Sequence, residues 1–399
     1  MKKTLALFSL GLGINLFNPL PIAFSQVSPT PPPAALKLVD IGTNCKPARA
    51  CLGWDEQLFL GHGGLKSDRQ SLLKSIDNSL SYLQTPKAIA VYNDYPIKEI
   101  TLDRVRRSLR RFRQLVATAK SPAQLQASVK REFAFYKSVG DDNQGKVKFT
   151  AYYAPIYQAS RTRTAQYKYP IYRVPSDFEQ WTKPHPKRVE LEGVDGLLGN
   201  KSRLNGLEMF WLRDRFQAYM IHIQGSAKLN LTDGTQTSVG FVRGTDYPWT
   251  SIGRLLFQDG KLSKEELNMP GIMRYFQKNP KSMDNYLPRW ERFIFFKETK
   301  GEPATGSISV PLVPERSIAT DKALMPPGAL AVINGSFPYP DRSGKLVNRQ
   351  VSRFVLDQDT GSAIKGPGRV DYFLGYGDLA GDRAGITVAT GSIYYLLLK

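Results

Sequence analysis

The chain has 399 residues, room for two or more domains, and its 41% hydrophobic and 11% aromatic content excludes a disordered protein. Its formal charge of +20 predicts attraction to a polyanion or an anionic surface: nucleic acid, anionic lipid, or a wall polymer bearing carboxylates.

Lys2 and Lys3 precede an apolar run from Leu5 to Leu16, and Ala23-Phe24-Ser25 fits a small-x-small cleavage site, so residues 1–25 read as an export signal cut after Ser25. The run is short for a spanning helix, though an uncleaved anchor, and with it membrane association, stays open. Export to the periplasm or cell envelope argues against nucleic acid as partner. No cysteine closely follows the run, which argues against a lipid anchor at the outer membrane. Residues 26–66 read as a tether, proline-rich at Pro29 and Pro31–Pro33. Cys45 and Cys51 could close a short disulfide loop or remain free thiols. His62, His185 and His222 show no metal-ligand spacing with them, so neither metal nor cofactor is expected.

Residues 67–155 read as a helical segment plus a first barrel strand. Leu72, Leu73, Ile76, Leu80 and Leu83 recur at helical spacing after Ser67-Asp68, which can cap. Val105, Leu109, Phe112 and Val116 do so after Thr101, and Leu125, Val129, Phe133 and Tyr136 after Ser121-Pro122. The middle helix carries Arg104, Arg106, Arg107, Arg110, Arg111 and Arg113: a solvated basic face, or a contact for an anionic wall polymer. From residue 148 the pattern turns to strands. Residues 156–302 read as a β-rich domain, with a long strand or strand pair over Met209–Gln224 and helices at Ser251–Phe257 and Ser263–Gln277. Residues 303–399 read as β throughout, with strands near 329–334, 350–356, 369–374, 386–390 and 392–398, which suggests a small closed barrel.

Acids framed by turns and apolar runs are candidates for chemistry in so basic a chain. In Arg369-Val370-Asp371-Tyr372-Phe373, alternation puts Asp371 and Phe373 on one strand face. A carboxyl group among aromatics is partly desolvated, which raises its pKa and lets it donate a proton near neutrality. A surface aspartate bonded to a neighbouring turn or to Arg369 is the plainer alternative. Asp359, twelve positions earlier, opens a Thr-Gly turn. It could be a turn residue, half of a dimeric aspartic protease site, or the second acid of a glycoside hydrolase. Tyr152, Tyr153, Tyr157 and Trp211, with Thr150, Gln224 and Ser226, could line a sugar-binding groove or simply pack in the core.

The ordered set Thr150-Ala151-Tyr152-Tyr153-Ala154-Pro155, His222-Ile223-Gln224-Gly225-Ser226, Ser251 to Leu256, Arg316 to Asp321, and Asp359 to Asp371 resembles the membrane-bound lytic murein transglycosylase A family over residues 148–399. Ala151 and Ala227 stand where that family favours glycine. The resemblance implies a mainly β fold: a double-psi β-barrel, carrying the three-aspartate module, interrupted by a second β-rich domain, with the glycan between them. It implies Asp371 as catalytic acid and base, Asp359 as supporting group and Asp321 as a structural member of the barrel. Thr150, Tyr152, Tyr153, Gln224, Gly225, Ser226 and Lys365 are then expected to bind substrate. The implied reaction is cleavage, without water, of the β-1,4 bond between N-acetylmuramic acid and N-acetylglucosamine in peptidoglycan strands, by a monomer. A non-catalytic wall-binding or wall-loosening barrel is the alternative.

Overall fold

The computed structural model describes residues 34–42, 51–61 and 65–399. The expected export signal, Cys45 and His62 lie outside the described residues. Cys51 is buried and disulfide-bonded.

The described chain opens with β1 (Leu36–Val39) and four helices, α1 (Arg69–Tyr82), α2 (Pro86–Asn93), α3 (Leu102–Thr118) and α4 (Pro122–Glu132), then enters β2 (Phe133–Ser138) and β3 (Val147–Ala154). Thr85, Thr101 and Ser121 cap α2, α3 and α4 by accepting from Ala88, Arg104 and Gln124 backbone N–H groups. Three expectations change here. The stretch read as a tether contributes β1, which pairs antiparallel with β2, and the buried Asp55. The helix through Phe133 and Tyr136 stops at Glu132, because residues 133–138 are claimed by two strand partners. Asp68 stands at the start of α1 but makes no capping bond; its carboxylate turns to Arg316 and Arg353. On α3, Arg107, Arg111 and Arg113 pair with Asp103, Glu132 and Asp77, and Arg104 and Arg106 donate to backbone carbonyls, so much of this basic face is satisfied internally.

A second sheet then interrupts the first. Its elements are β4 (Ile156–Ser160), β5 (Tyr169–Tyr172), α5 (Arg188–Glu192), β6 (Glu208–Leu212), α6 (Arg215–Gln224), β7 (Ser226–Leu231), β8 (Gln236–Gly244), α7 (Ile252–Gln258), α8 (Met269–Lys278), α9 (Met283–Tyr286) and β9 (Ile294–Glu298). The strand order is β5-β6-β4-β7-β8-β9. The long strand expected over Met209–Gln224 is broken. Asp214 accepts from the Gln217 N–H and starts α6, and Gly225, at φ 76°, ends it in the left-handed conformation. Ser263 and Glu266 do form reciprocal capping bonds, yet the helix begins only at Met269, where Asn268 caps and a proline occupies the first turn.

The chain returns to the first sheet with β10 (Ser317–Ala319), β11 (Leu330–Pro340), β12 (Leu346–Asp359), β13 (Arg369–Tyr376), α10 (Gly377–Ile386) and β14 (Ala389–Leu398). The strands expected at 386–390 and 392–398 are one, β14, preceded by α10. Gly391 lets β14 pass close to β11, where a Cβ would lie 2.1 Å from the Asn334 carbonyl oxygen. The order β14-β11-β12-β10-β13-β3, closed by pairing of β3 with β14, makes a six-stranded double-psi barrel. Two of its pairings, β10 with β12 and β13 with β3, are parallel. Its core is continuous with the inner faces of α1, α3 and α4, while the second sheet has its own core around Phe210, Tyr219, Leu229 and Trp290. No described helix is long and apolar enough to cross a membrane.

Candidate active site

Strands β12, β10, β13 and β3 lie side by side, and their register sets out one row of residues. Asp359 lies opposite Ala319, Ala319 opposite Asp371, and Asp371 opposite Thr150. Paired residues project to the same face. A bulge makes the row possible: Ile318 pairs with Asp357 and Ala319 with Asp359, so Gln358 is the extra residue and its amide bonds Ser75 and Ser79 of α1. The backbones of Asp359 and Asp371 are thus two strand spacings apart, roughly 9–10 Å. No hydrogen bond joins the two carboxylates, unlike the shared-proton pair of an aspartic protease.

The two carboxylates are held differently. Asp371 Oδ1 accepts from the Thr150 hydroxyl at 2.6 Å, and Oδ2 has no hydrogen bond among the described residues. Asp359 is fully engaged: Oδ2 accepts from the Tyr152 hydroxyl at 2.7 Å, and Oδ1 from the N–H groups of Ser307 and Thr360 at 2.9 and 2.8 Å. Tyr152, two residues beyond Thr150 on the same face, reaches Asp359 past Phe373, whose ring centroid lies 5.2 Å from its own. Burial pushes the Asp371 carboxyl up to about 6, against the Thr150 bond and the Arg369 charge and with a contribution from Asp359. Burial also raises Asp359, opposed by its hydrogen bonds and by Lys322. A group at about 6 can give a proton and take it back near neutrality.

The Gln224-Gly225-Ser226 turn joins α6 to β7, and Gln224 Oε1 accepts from the Tyr153 N–H at 3.1 Å, binding the second sheet to the barrel strand that carries Thr150 and Tyr152. His222 lies beneath it. Burial and the Arg188 charge push its pKa well below the usual range, and its Nδ1 accepts from the Ile294 N–H, so it is a neutral structural group. Asp321 lies past the end of β10 and accepts from the Gly366 N–H at 3.0 Å, which fastens the 360–368 connection to the barrel. Lys365, on that connection, is exposed and bonds neither aspartate. Thus Asp371, Asp359, Thr150 and Tyr152 form one cluster, Tyr153 and Gln224 adjoin it, and Asp321, past β10, and Lys365, on the 360–368 connection, make no hydrogen bond to it among the described residues.

Sequence reasoning missed Asp357. It is buried and accepts from Thr320 and Tyr395 hydroxyls at 2.7 and 2.6 Å, with Lys322 as its ion partner. Its signal was available: an acid two residues before Asp359 in an apolar run. Among the described residues no cluster of histidine, cysteine or acidic side chains is arranged to hold a metal ion.

Two family models match the chain: the MltA specific insert domain over residues 148–297 and the 3D domain over residues 316–397. Membrane-bound lytic murein transglycosylase A of Escherichia coli K12 is 31% identical over 64% of this chain and 67% of its own length. The crystal structure of E. coli MltA with bound chitohexaose superposes with a TM-score of 0.65 at 25% identity, covering 91% of this chain and 94% of that one. A membrane-bound lytic murein transglycosylase from Agrobacterium tumefaciens gives the same TM-score at 26% identity, over 83% of this chain and 93% of that one. With the MltA insert and the 3D domain both matched, and with a curated relative 31% identical over two thirds of its length, the chain belongs to the membrane-bound lytic murein transglycosylase A family.

Proposed function

We propose that this lytic transglycosylase cleaves the β-1,4 bond between N-acetylmuramic acid and N-acetylglucosamine in peptidoglycan and leaves a 1,6-anhydro end, with Asp371 as its single acid and base. In this reading the protonated Asp371 gives its proton to the leaving oxygen. Positive charge develops at C1 of the muramic sugar. The Asp371 carboxylate then takes the proton of the O6 hydroxyl, and O6 closes on C1. The nucleophile is part of the substrate, so its attack is intramolecular, which can remove roughly 7–11 kcal/mol of barrier in well-oriented cases.

The observation that carries the reading is the unequal engagement of the two aspartates. Among the described residues Asp371 keeps one oxygen free of hydrogen bonds, and it is pushed up to about 6. Both oxygens of Asp359 are occupied by donors, so it is poorly disposed to activate water or attack a sugar carbon, and well disposed to support its neighbour. Thr150, Tyr152, Tyr153, Gln224, Gly225 and Ser226 border the cluster and, with Lys365 on the neighbouring connection, are assigned to the glycan; Asp321 is assigned a structural role, fastening that connection. A relative crystallised with chitohexaose is consistent with a saccharide ligand. The net charge of +20 suits a wall polymer rich in carboxylates, and we place the exported protein in the cell envelope, acting as a monomer.

The test is mass spectrometry of soluble products after residues 26–399 meet purified peptidoglycan, with Asp371→Asn as control. Anhydro-muropeptides from the wild type alone support the reading. Products about 18 mass units heavier, carrying the added water of a hydrolysis, would replace it with a hydrolase. Tight binding without release would replace it with a wall-binding barrel.

A further inference from the structure

One β-step before the Asp371–Thr150 pair, the same two strands place Arg369 directly opposite Lys148. Like charges facing each other across a sheet are unfavourable. Neither cation has a carboxylate in ion-pair contact among the described residues, and the Arg369 Nε is buried without a hydrogen-bond partner. Residues two apart on a strand share a face, so these cations stand beside Thr150 and Asp371. Arg254, on the exposed side of α7, brings a third positive charge from the inserted domain and, among the described residues, is likewise unpaired. Partial burial, then the charges of Arg369 and Arg254, hold the Lys148 ammonium below the usual lysine range, against a smaller effect of Asp141. The fold therefore places two cations beside the reactive carboxyl with no carboxylate in ion-pair contact among the described residues, and a third, Arg254 of the inserted domain, near enough for its charge to act on Lys148.

We infer that Lys148, Arg369 and Arg254 form an anion site that reads the carboxylate carried on the muramic sugar, and so distinguishes peptidoglycan from a neutral chitin-like chain. The inference rests on the assignment of Asp371 to the glycosidic bond of a muramic residue. That sugar differs from N-acetylglucosamine by its lactyl ether, which ends in a carboxylate when bare and continues into an acidic peptide when substituted. A site one β-step from the acid is placed to meet that substituent as the bond reaches Asp371.

The experiment measures binding on an Asp371→Asn background, which keeps substrates intact. Lys148→Gln with Arg254→Gln is compared with the parent on three ligands: glycan strands with stem peptides, the same strands stripped to free lactyl groups, and chitohexaose. We expect about a tenfold loss of affinity, about 1.4 kcal/mol, on the carboxylate-bearing strands and none on chitohexaose, with Lys148→Arg restoring most of it. Loss on both natural ligands points to the lactyl carboxylate; loss only on peptide-bearing strands points to the peptide; either supports the site. An equal loss on all three ligands, or none on any, overturns it. If the wild type releases no anhydro product while this charge-selective loss persists, the transglycosylase reading fails and the anion site stands.

Discussion

The barrel buries carboxylates in two ways, a few strands apart. Asp55, Asp68 and Glu315 meet Arg316, Arg353 and Arg383 in a buried network whose contacts include Arg316–Asp55 at 2.5 Å, Arg316–Asp68 at 2.6 Å and Arg383–Glu315 at 2.5 Å. Burial opposes ionisation there too, but the guanidinium charges and hydrogen bonds win, and Asp68 and Glu315 lie below the usual carboxylate range. Asp359 and Asp371 are given hydroxyl and amide donors, and both lie above that range. The difference is the partner's charge. A cation in contact fixes the anion permanently; neutral donors hold the group in place while leaving its proton exchangeable. One set fastens the N-terminal segment and α10 to the barrel, and the other is free to do chemistry.

The largest expected effect separates the two sets. Asp371→Asn should lower turnover by roughly 10²–10⁴-fold, the usual worth of a positioned general acid, while the protein stays folded. The Asp371 carboxyl is raised in the folded state, so folding binds protons between about 4 and about 6, and stability falls as pH rises through that window. Asparagine carries no charge to desolvate. The variant should therefore melt no lower than the wild type at pH 7, and gain on the order of 1 kcal/mol. Unfolding of Asp371→Asn at pH 7 would show that the residue is a structural anion like Asp55. Arg316→Met should do the opposite: it leaves the buried Asp55 with Arg353, at 3.8 Å, as its one ion partner among the described residues and takes from Asp68 one of its two guanidinium partners, and it costs about 3–5 kcal/mol of stability, read by denaturant titration. Normal stability in the Arg316→Met variant would remove the contrast from which these predictions come.

The residues show why one set was legible and the other was not. Asp371 announced itself by local pattern, an acid alternating with aromatics on a strand next to glycine, and its environment follows from that alternation. The Asp359–Asp371 relation also needed Ala319, on a strand of three residues, and the bulge at Gln358 on its partner β12, both invisible in sequence. The arginine network was illegible for a different reason. Asp55 and Asp68 lie 261 and 248 residues from Arg316, and nothing local marks an acid whose partner is so distant. Asp68 looked like a helix cap because it is placed as one; the arginines outcompete the backbone N–H. Residues 209–224 misled similarly, since the largely apolar and aromatic stretches on either side of Arg213-Asp214-Arg215 suit a strand or a buried helix equally, and Asp214 and Gly225 decided it.

Two smaller substitutions sharpen the comparison, because they should move the same titration in opposite directions. Thr150→Val removes the hydrogen bond that the Asp371 carboxylate accepts, which favours the charged form. Its loss should move the alkaline limb of the rate profile upward by about one pH unit. Tyr152→Phe removes a donor from Asp359, which keeps the N–H groups of Ser307 and Thr360. Asp359 then holds its proton to higher pH and presents less negative charge to Asp371. Since the Asp359 charge is part of what raises Asp371, the limb should move downward, by roughly a few tenths of a unit. The measurement is the pH dependence of muropeptide release for both variants. Shifts in the same direction would mean that Asp359 and Asp371 do not sense one another's charge, and that Asp359 supports the site by shape alone.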